Sequence, residues 1–197
     1  MVAKLKLSRG FAAEAERTAA SLRQELGLRP HERLCAFHLC EHLRIRVVVA
    51  EQVKGLSTDS LQILEHPSGK SWSAVTIPYH TSQQTSYLII HNQVHSPARQ
   101  QSNVMHEVAH ILRGHTLSAV DTGNGLPDYM RLYPEEQELE ANCLGWTLLL
   151  PRAALLLRLG QGWDYAAIME HYQASAEMVR LRINSTGVLR QLGNSRY

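Results

Sequence analysis

The sequence is poor in the features that mark several large protein classes. It holds three cysteines, Cys35, Cys40 and Cys143. The number is odd and no C-x-x-C occurs, so neither a disulfide framework nor a thiolate zinc knuckle is supported. Reduced thiols, and with them the cytoplasm, are the expectation. Charge of one sign is also lacking. Twenty Lys and Arg against 18 Asp and Glu leave a net charge of +2, which makes no electrostatic case for nucleic acid or a membrane surface. Long hydrophobic runs are missing. The most apolar stretch, 148–159, is broken by Pro151, Arg152 and Arg158 and is too short and too charged to span a bilayer. The opening MVAKLKLSRGFAAEAER has no continuous apolar core and turns acidic early, which reads against a signal peptide. No internal repeat or low-complexity segment is visible.

What is present is the composition of a folded chain. Hydrophobic residues make up 44% and charged residues 19% of 197 residues, enough for one core, alone or with a small appendage. Eleven His direct attention to metal or acid–base chemistry. Phe11, Ala15, Ala19, Leu22 and Leu26 recur at helical spacing and predict a helix over 11–27, with Gly27 as its stop. A second short helix is expected over 31–43. The β-branched run 44–50 reads as a strand, as do 61–65, 72–79 and 85–92. The expected sheet is small and mostly antiparallel. Ser96 and Pro97 then offer a cap and a first helical position for a helix running to about Gly114. The segment 115–133 carries no periodicity. Pro134, Glu135 and Glu136 open another helix, acidic in its first turn as the helix dipole favours, which should end before Pro151. Two or three short helices fill 151–186, and 187–197 reads as a frayed tail. The class is α+β.

One motif carries chemistry. His106-Glu107-Val108-Ala109-His110 is an H-E-x-x-H inside a predicted helix. Side chains four apart on a helix share a face, so both imidazoles can bind one zinc. Glu107 can then act as general base on a metal-activated water that attacks a polarised carbonyl. A catalytic zinc needs a third protein ligand. His115 falls five residues after His110, and Arg113 stands where the metzincin pattern needs Gly, so that pattern fails. The acidic helix is the better source. Glu138 and Asn142 are four apart, so Glu138 can ligate while Asn142 accepts from the outward N–H of a ligand His and fixes its tautomer. Glu140 is the second choice; with Glu135 and Glu136 it otherwise reads as solvated surface.

These residues resemble a known family. His-Glu-Val-Ala-His at 106–110, Glu-Leu-Glu-Ala-Asn at 138–142 and Leu-Leu-Leu-Pro at 148–151 are similar to the ImmA/IrrE family of bacterial zincin-like metallopeptidases. So are the opening from Phe11 to Leu28 and His95-Ser96-Pro97-Ala98-Arg99-Gln100 before the metal helix. The resemblance covers most of residues 10–150. It implies a zincin-like peptidase domain over 1–150, with His106, His110 and Glu138 as metal ligands and Glu107 as catalytic base. It implies zinc, with manganese or iron as alternatives that the donor set also suits. Its implied partner is a helix-turn-helix (XRE-type) transcriptional repressor, cleaved in a regulatory or stress response. Asn142 stands where gluzincin-like enzymes often have Asp, so a weaker acceptor is expected there.

Residues 151–197 are expected to form a helical extension. Two short helical patterns joined near Gln173-Ala174-Ser175 are similar to a helix-turn-helix, in which Arg180, Arg182 and Arg190 would touch phosphate or simply remain solvated. The same surface would serve to dock a substrate. Trp72, Tyr79 and Tyr87 read as core or rim, His80, His91 and His95 as surface, and Cys143 as a small buried hydrophobe. A strand edge near 72–79 could hold an extended peptide. The rival readings are a non-catalytic, metal-containing module that binds a repressor, and a DNA-binding regulator acting through its C-terminal helices.

Overall fold

The computed structural model describes residues 6–55, 72–80, 84–116 and 133–194. Helix α1 (Phe11–Glu25) follows Gly10, whose φ of 91° starts the turn, and buries Phe11, Ala15, Ala19 and Leu22 as their spacing requires. Helix α2 (Ala36–His42) is shorter than the expected 31–43. The preceding residues are diverted into a turn, because the Arg29 N–H donates to the Glu32 carboxylate at 2.5 Å. The helix opens only where the Ala36 N–H finds the Gln101 side chain, at 2.7 Å.

Strands β1 (Arg46–Val49), β2 (Ala74–His80) and β3 (Thr85–His91) form a sheet in the order β1-β3-β2. β3 runs antiparallel to β2 but parallel to β1. The expectation of a mostly antiparallel sheet is therefore corrected to a mixed one. A parallel pair needs a long crossover, and propensity alone does not reveal strand direction. The expected strand 61–65 lies outside the described residues. Among the described residues β2 is a sheet edge, and Val75, Ile77 and Tyr79 on it are exposed.

Helix α3 (Pro97–Arg113) begins at the expected proline and ends at Gly114, which takes the left-handed conformation at φ 63°. Ser96 occupies the cap position without a side-chain hydrogen bond. Helix α4 (Glu135–Leu149) starts after Pro134 and stops before Pro151. Helices α5 (Arg152–Gly160), α6 (Tyr165–Tyr172), α7 (Ala176–Thr186) and α8 (Val188–Asn194) follow. Asp164 caps α6 and Ser175 caps α7, each through its side-chain oxygen. α8 corrects the frayed tail: Val188 is fully buried, and tertiary packing stabilises a segment whose own pattern is weak.

One cluster of buried side chains runs from Phe11 through Val104, Met105, Leu144 and Leu148 to Ile168, Ile183 and Val188. The C-terminal end of α4 sits inside it. There the last carbonyls of the helix need donors, and two buried arginines supply them. Arg23 is 0% exposed and donates to the carbonyls of Leu148, Ala19 and Glu32. Burial lowers its pKa to about 10, against the smaller upward pull of Tyr172 and Glu16. Arg182 donates to the Leu150 carbonyl at 2.9 Å and to Glu16 at 2.5 Å. It is thus an internal tie rather than a phosphate contact, while Arg180 and Arg190 are exposed. No single described helix is long and apolar enough to cross a membrane. α4 and α5 together have that length, but they bend by 41° at their junction and bury Leu144, Leu148, Leu149 and Leu155 in the core.

Candidate metal centre

The site exists because α4 lies tightly against α3. Gly145 is the point of closest approach. A Cβ built there would stand 3.3 Å from the Met105 carbonyl oxygen and 3.4 Å from the His106 Cα. Both are backbone atoms of the metal helix, and backbone cannot step aside as a flexible side chain can. Gly145→Val should therefore push the helices apart. We expect a loss of about 1–3 kcal/mol in stability and a weakened metal site, read by thermal unfolding and zinc titration. Parent-like values for both would show that the contact is dispensable.

With the helices this close, Glu138 in the first turn of α4 faces His106 and His110 on α3. His106 Nε2 and His110 Nε2 are 3.0 Å apart. Glu138 Oε2 lies 3.3 Å from His106 Nε2, and its Oε1 lies 3.5 Å from His110 Nε2. The three side chains form a group able to hold one ion. Four ligands arranged tetrahedrally about 2.0–2.1 Å from a zinc ion would stand about 3.4 Å from one another. The observed separations are the edges of such a tetrahedron, so the residues fit a metal. Two imidazole nitrogens facing each other at 3.0 Å also need a proton or a cation between them.

Electrostatics divides the three. In their protonated forms His106 and His110 hydrogen-bond the Glu138 carboxyl and hold it down at about 2. Burial works against a charged His106, but the hydrogen bond and charge of Glu138, the charge of Glu107 and the Asn142 side chain outweigh it and raise its pKa. His110 goes the other way: burial and the neighbouring His106 lower it despite Glu138.

Glu107 is 7% exposed and faces the sheet. Thr76 on β2 donates to its Oε2 at 2.5 Å. Burial raises the carboxyl above the usual carboxylate range, opposed by Thr76 and by His106. That direction suits a base that must take up a proton near neutral pH. The Tyr133 ring stacks on His110, with centroids 3.6 Å apart and planes at 17°. Burial and the charges of Glu107 and Glu138 hold its hydroxyl above the ordinary tyrosine value, so it remains a donor.

Behind the triad, His115 Nδ1 lies 3.0 Å from His110 Nδ1, and His115 Nε2 lies 3.2 Å from Glu140 Oε2. Arg113 Nε donates to the same Glu140 oxygen at 3.1 Å, and its Nη1 donates to Glu14 on α1 at 2.7 Å.

His106, His110 and Glu138 are thus brought together as expected, Glu107 lies against them, and the Asn142 side chain bonds His106. Glu140, the second choice, is engaged by Arg113 and His115 instead. His91 and His95 are buried rather than on the surface, and Cys143 is half-buried. Thr76, Tyr133 and Gly145 were not legible as site residues. Thr76 and Gly145 act through approaches between elements distant in sequence. Tyr133 closes a segment with no periodicity, although a tyrosine just before the acidic helix was a usable hint.

A comparison with curated proteins finds no match. Among solved structures, a Mycobacterium tuberculosis transcriptional regulator is similar over 90% of this chain, with a TM-score of 0.50 and 14% identity. That likeness is one of fold. The chain spans 47% of that protein's length, about half. The model of the Peptidase_M78 family, the IrrE N-terminal-like domain, matches residues 61–184. The match covers more than half of the sequence and takes in both helices of the metal centre, and by it the chain belongs to the Peptidase_M78 family of IrrE N-terminal-like domains.

Proposed function

We propose that this chain is a metal-dependent endopeptidase that cleaves a helix-turn-helix transcriptional repressor in the bacterial cytoplasm, within a regulatory or stress response. The observation that carries the reading is the tetrahedral spacing of His106, His110 and Glu138 beside a buried Glu107. In this reading the metal chemistry belongs to residues 1–150, and the helical extension 151–197 docks or supports. Zinc suits the donor set, as do manganese and iron.

A divalent metal held there would polarise a peptide carbonyl and make a water in its open position acidic enough to react. The chain's own residues do the rest. Glu107 receives the proton of the attacking water on its carboxylate and passes it to the departing amine. Thr76 keeps the carboxylate from rotating away. Tyr133 holds the His110 ring flat from one side and keeps a neutral hydroxyl near the charged groups. A peptide segment added to the β2 edge would run past Thr76, hence past Glu107. A cavity of about 310 Å³, lined by Pro78, Tyr87, Ile111 and Tyr133 beside His110, would take an apolar side chain next to the scissile bond.

The test is elemental analysis of the purified protein beside Glu138→Ala. About one metal per chain in the parent, lost in the variant, is the expected result, since His₂Glu supplies all three protein ligands. Retention in the variant would move the third ligand elsewhere. A parent that takes up no metal on reconstitution would overturn the peptidase reading.

A further inference from the structure

We propose that His115 and Glu140 form a fixed proton-ordering pair that holds His110 in the tautomer needed to bind metal. The proposal rests on the metal-centre reading above and assigns a positioning role to two residues outside the ligand set.

The argument follows the hydrogens from the outside in. A carboxylate can only accept. Glu140 Oε2 faces His115 Nε2 at 3.2 Å, so His115 carries its proton on Nε2. A neutral imidazole with a proton on one nitrogen has a lone pair on the other. In neutral His115, Nδ1 is therefore an acceptor, and it lies 3.0 Å from His110 Nδ1. His110 must then be the donor through Nδ1–H, which leaves the lone pair on Nε2. That is the nitrogen facing His106 Nε2 and Glu138. One carboxylate thus sets the proton position on a ring two hydrogen bonds away.

The pair is held in place rather than placed by chance. Gly114, at φ 63°, turns the chain back at the end of α3. The His115 N–H closes on the His110 carbonyl at 3.0 Å, and the Gly114 N–H on that of Ile111. This reversal swings the His115 ring against the back of His110, where only 7% of its side chain is exposed. Glu140 is fixed in turn by Arg113, which bonds Glu14 at 2.7 Å and lies over the Phe11 ring at 4.9 Å. The pair therefore ties the metal helix to both α4 and α1. His106 has a different arrangement, with the neutral Asn142 amide as its partner. Outer hydrogen bonds of this kind set the tautomer and orientation of a metal-binding His.

Two substitutions separate the proton role from simple packing. His115→Phe keeps a ring and removes the acceptor. His115→Gln keeps an acceptor in its amide oxygen. Zinc affinity is read by competition with a chromophoric chelator, and the His110 tautomer by long-range ¹H–¹⁵N spectra of the metal-free protein. We expect His110 in the Nδ1–H form in the parent and a mixed population in His115→Phe. Zinc should bind about 10–100-fold more weakly to His115→Phe and close to parent strength to His115→Gln. Glu140→Leu should behave like His115→Phe. Parent-like zinc binding by His115→Phe, equal weakening in the Phe and Gln variants, or an Nε2–H tautomer in the metal-free parent would each overturn the proposal. A parent that binds no zinc but shows the Nδ1–H form at His110 would overturn the metal reading while upholding the proton order.

Discussion

Glu107→Gln is expected to keep the metal and lose the cleavage. The amide matches the carboxylate in size and can still accept from Thr76 through its oxygen, so the local packing survives. Glu107 is not one of the three side chains gathered as a metal group, so metal content should be unchanged. What the amide cannot do is take a proton, and removing a positioned base costs about 10²–10⁴-fold in rate. The measurement is the appearance of new peptide termini, by mass spectrometry, in a bacterial lysate incubated with the metal-loaded parent, Glu107→Gln or Glu138→Ala. The parent should generate cleavage sites that both variants lack. Equal cleavage by parent and Glu107→Gln would remove Glu107 from the mechanism. A loaded parent that cleaves nothing, but binds a helix-turn-helix repressor as tightly as Glu107→Gln does, would establish the non-catalytic module instead. A site serving only to hold structure has no use for a buried acid shifted toward neutrality, and burial is what shifts Glu107.

How much of this was legible beforehand depended on whether the information was local. The metal helix was, because H-E-x-x-H, an apolar face, a leading Pro97 and a closing Gly114 all lie within one stretch of chain. The approach of Glu138 to both histidines was also within reach, since Glu138 and Asn142 lie four apart on one predicted helix. The direction of β1 was not, because parallel pairing with β3 is set by a crossover rather than by propensity. Nor was the role of Thr76, an ordinary β-branched residue in a strand until the sheet meets α3. Gly145 reads as a weak point in a helix; only the approach of His106 shows why a side chain is absent there. The five-residue spacing of His115 from His110 does not fit the metzincin pattern. The structure leaves His115 outside the group of His106, His110 and Glu138 and puts it directly behind His110.

The C-terminal helices show the same divide most sharply at two neighbouring arginines. Arg180 and Arg182 look equivalent in sequence, and both could have contacted phosphate. One turns outward and the other is 5% exposed. Arg182→Ala should therefore act on stability. It strands the Leu150 carbonyl and removes the partner of Glu16, whose carboxylate also accepts from the Arg152 N–H at the start of α5. Breaking a buried pair from one side costs about 3–5 kcal/mol. Glu16 keeps some solvent contact, with 28% of its side chain exposed, which places the loss near the lower end. The thermal midpoint should fall by on the order of 10 °C. Arg180→Ala, on the exposed face of the same helix, should stay within about 0.5 kcal/mol of the parent. Lysine at 182 should recover only part of the loss, because a single ammonium lacks the planar fork that reaches Leu150 and Glu16 together. Equal midpoints for the alanine variants at 180 and 182 would refute the internal tie. A DNA affinity at low salt that Arg180→Ala and Arg190→Ala weaken, with stability unchanged, would instead assign the exposed face of these helices to nucleic acid.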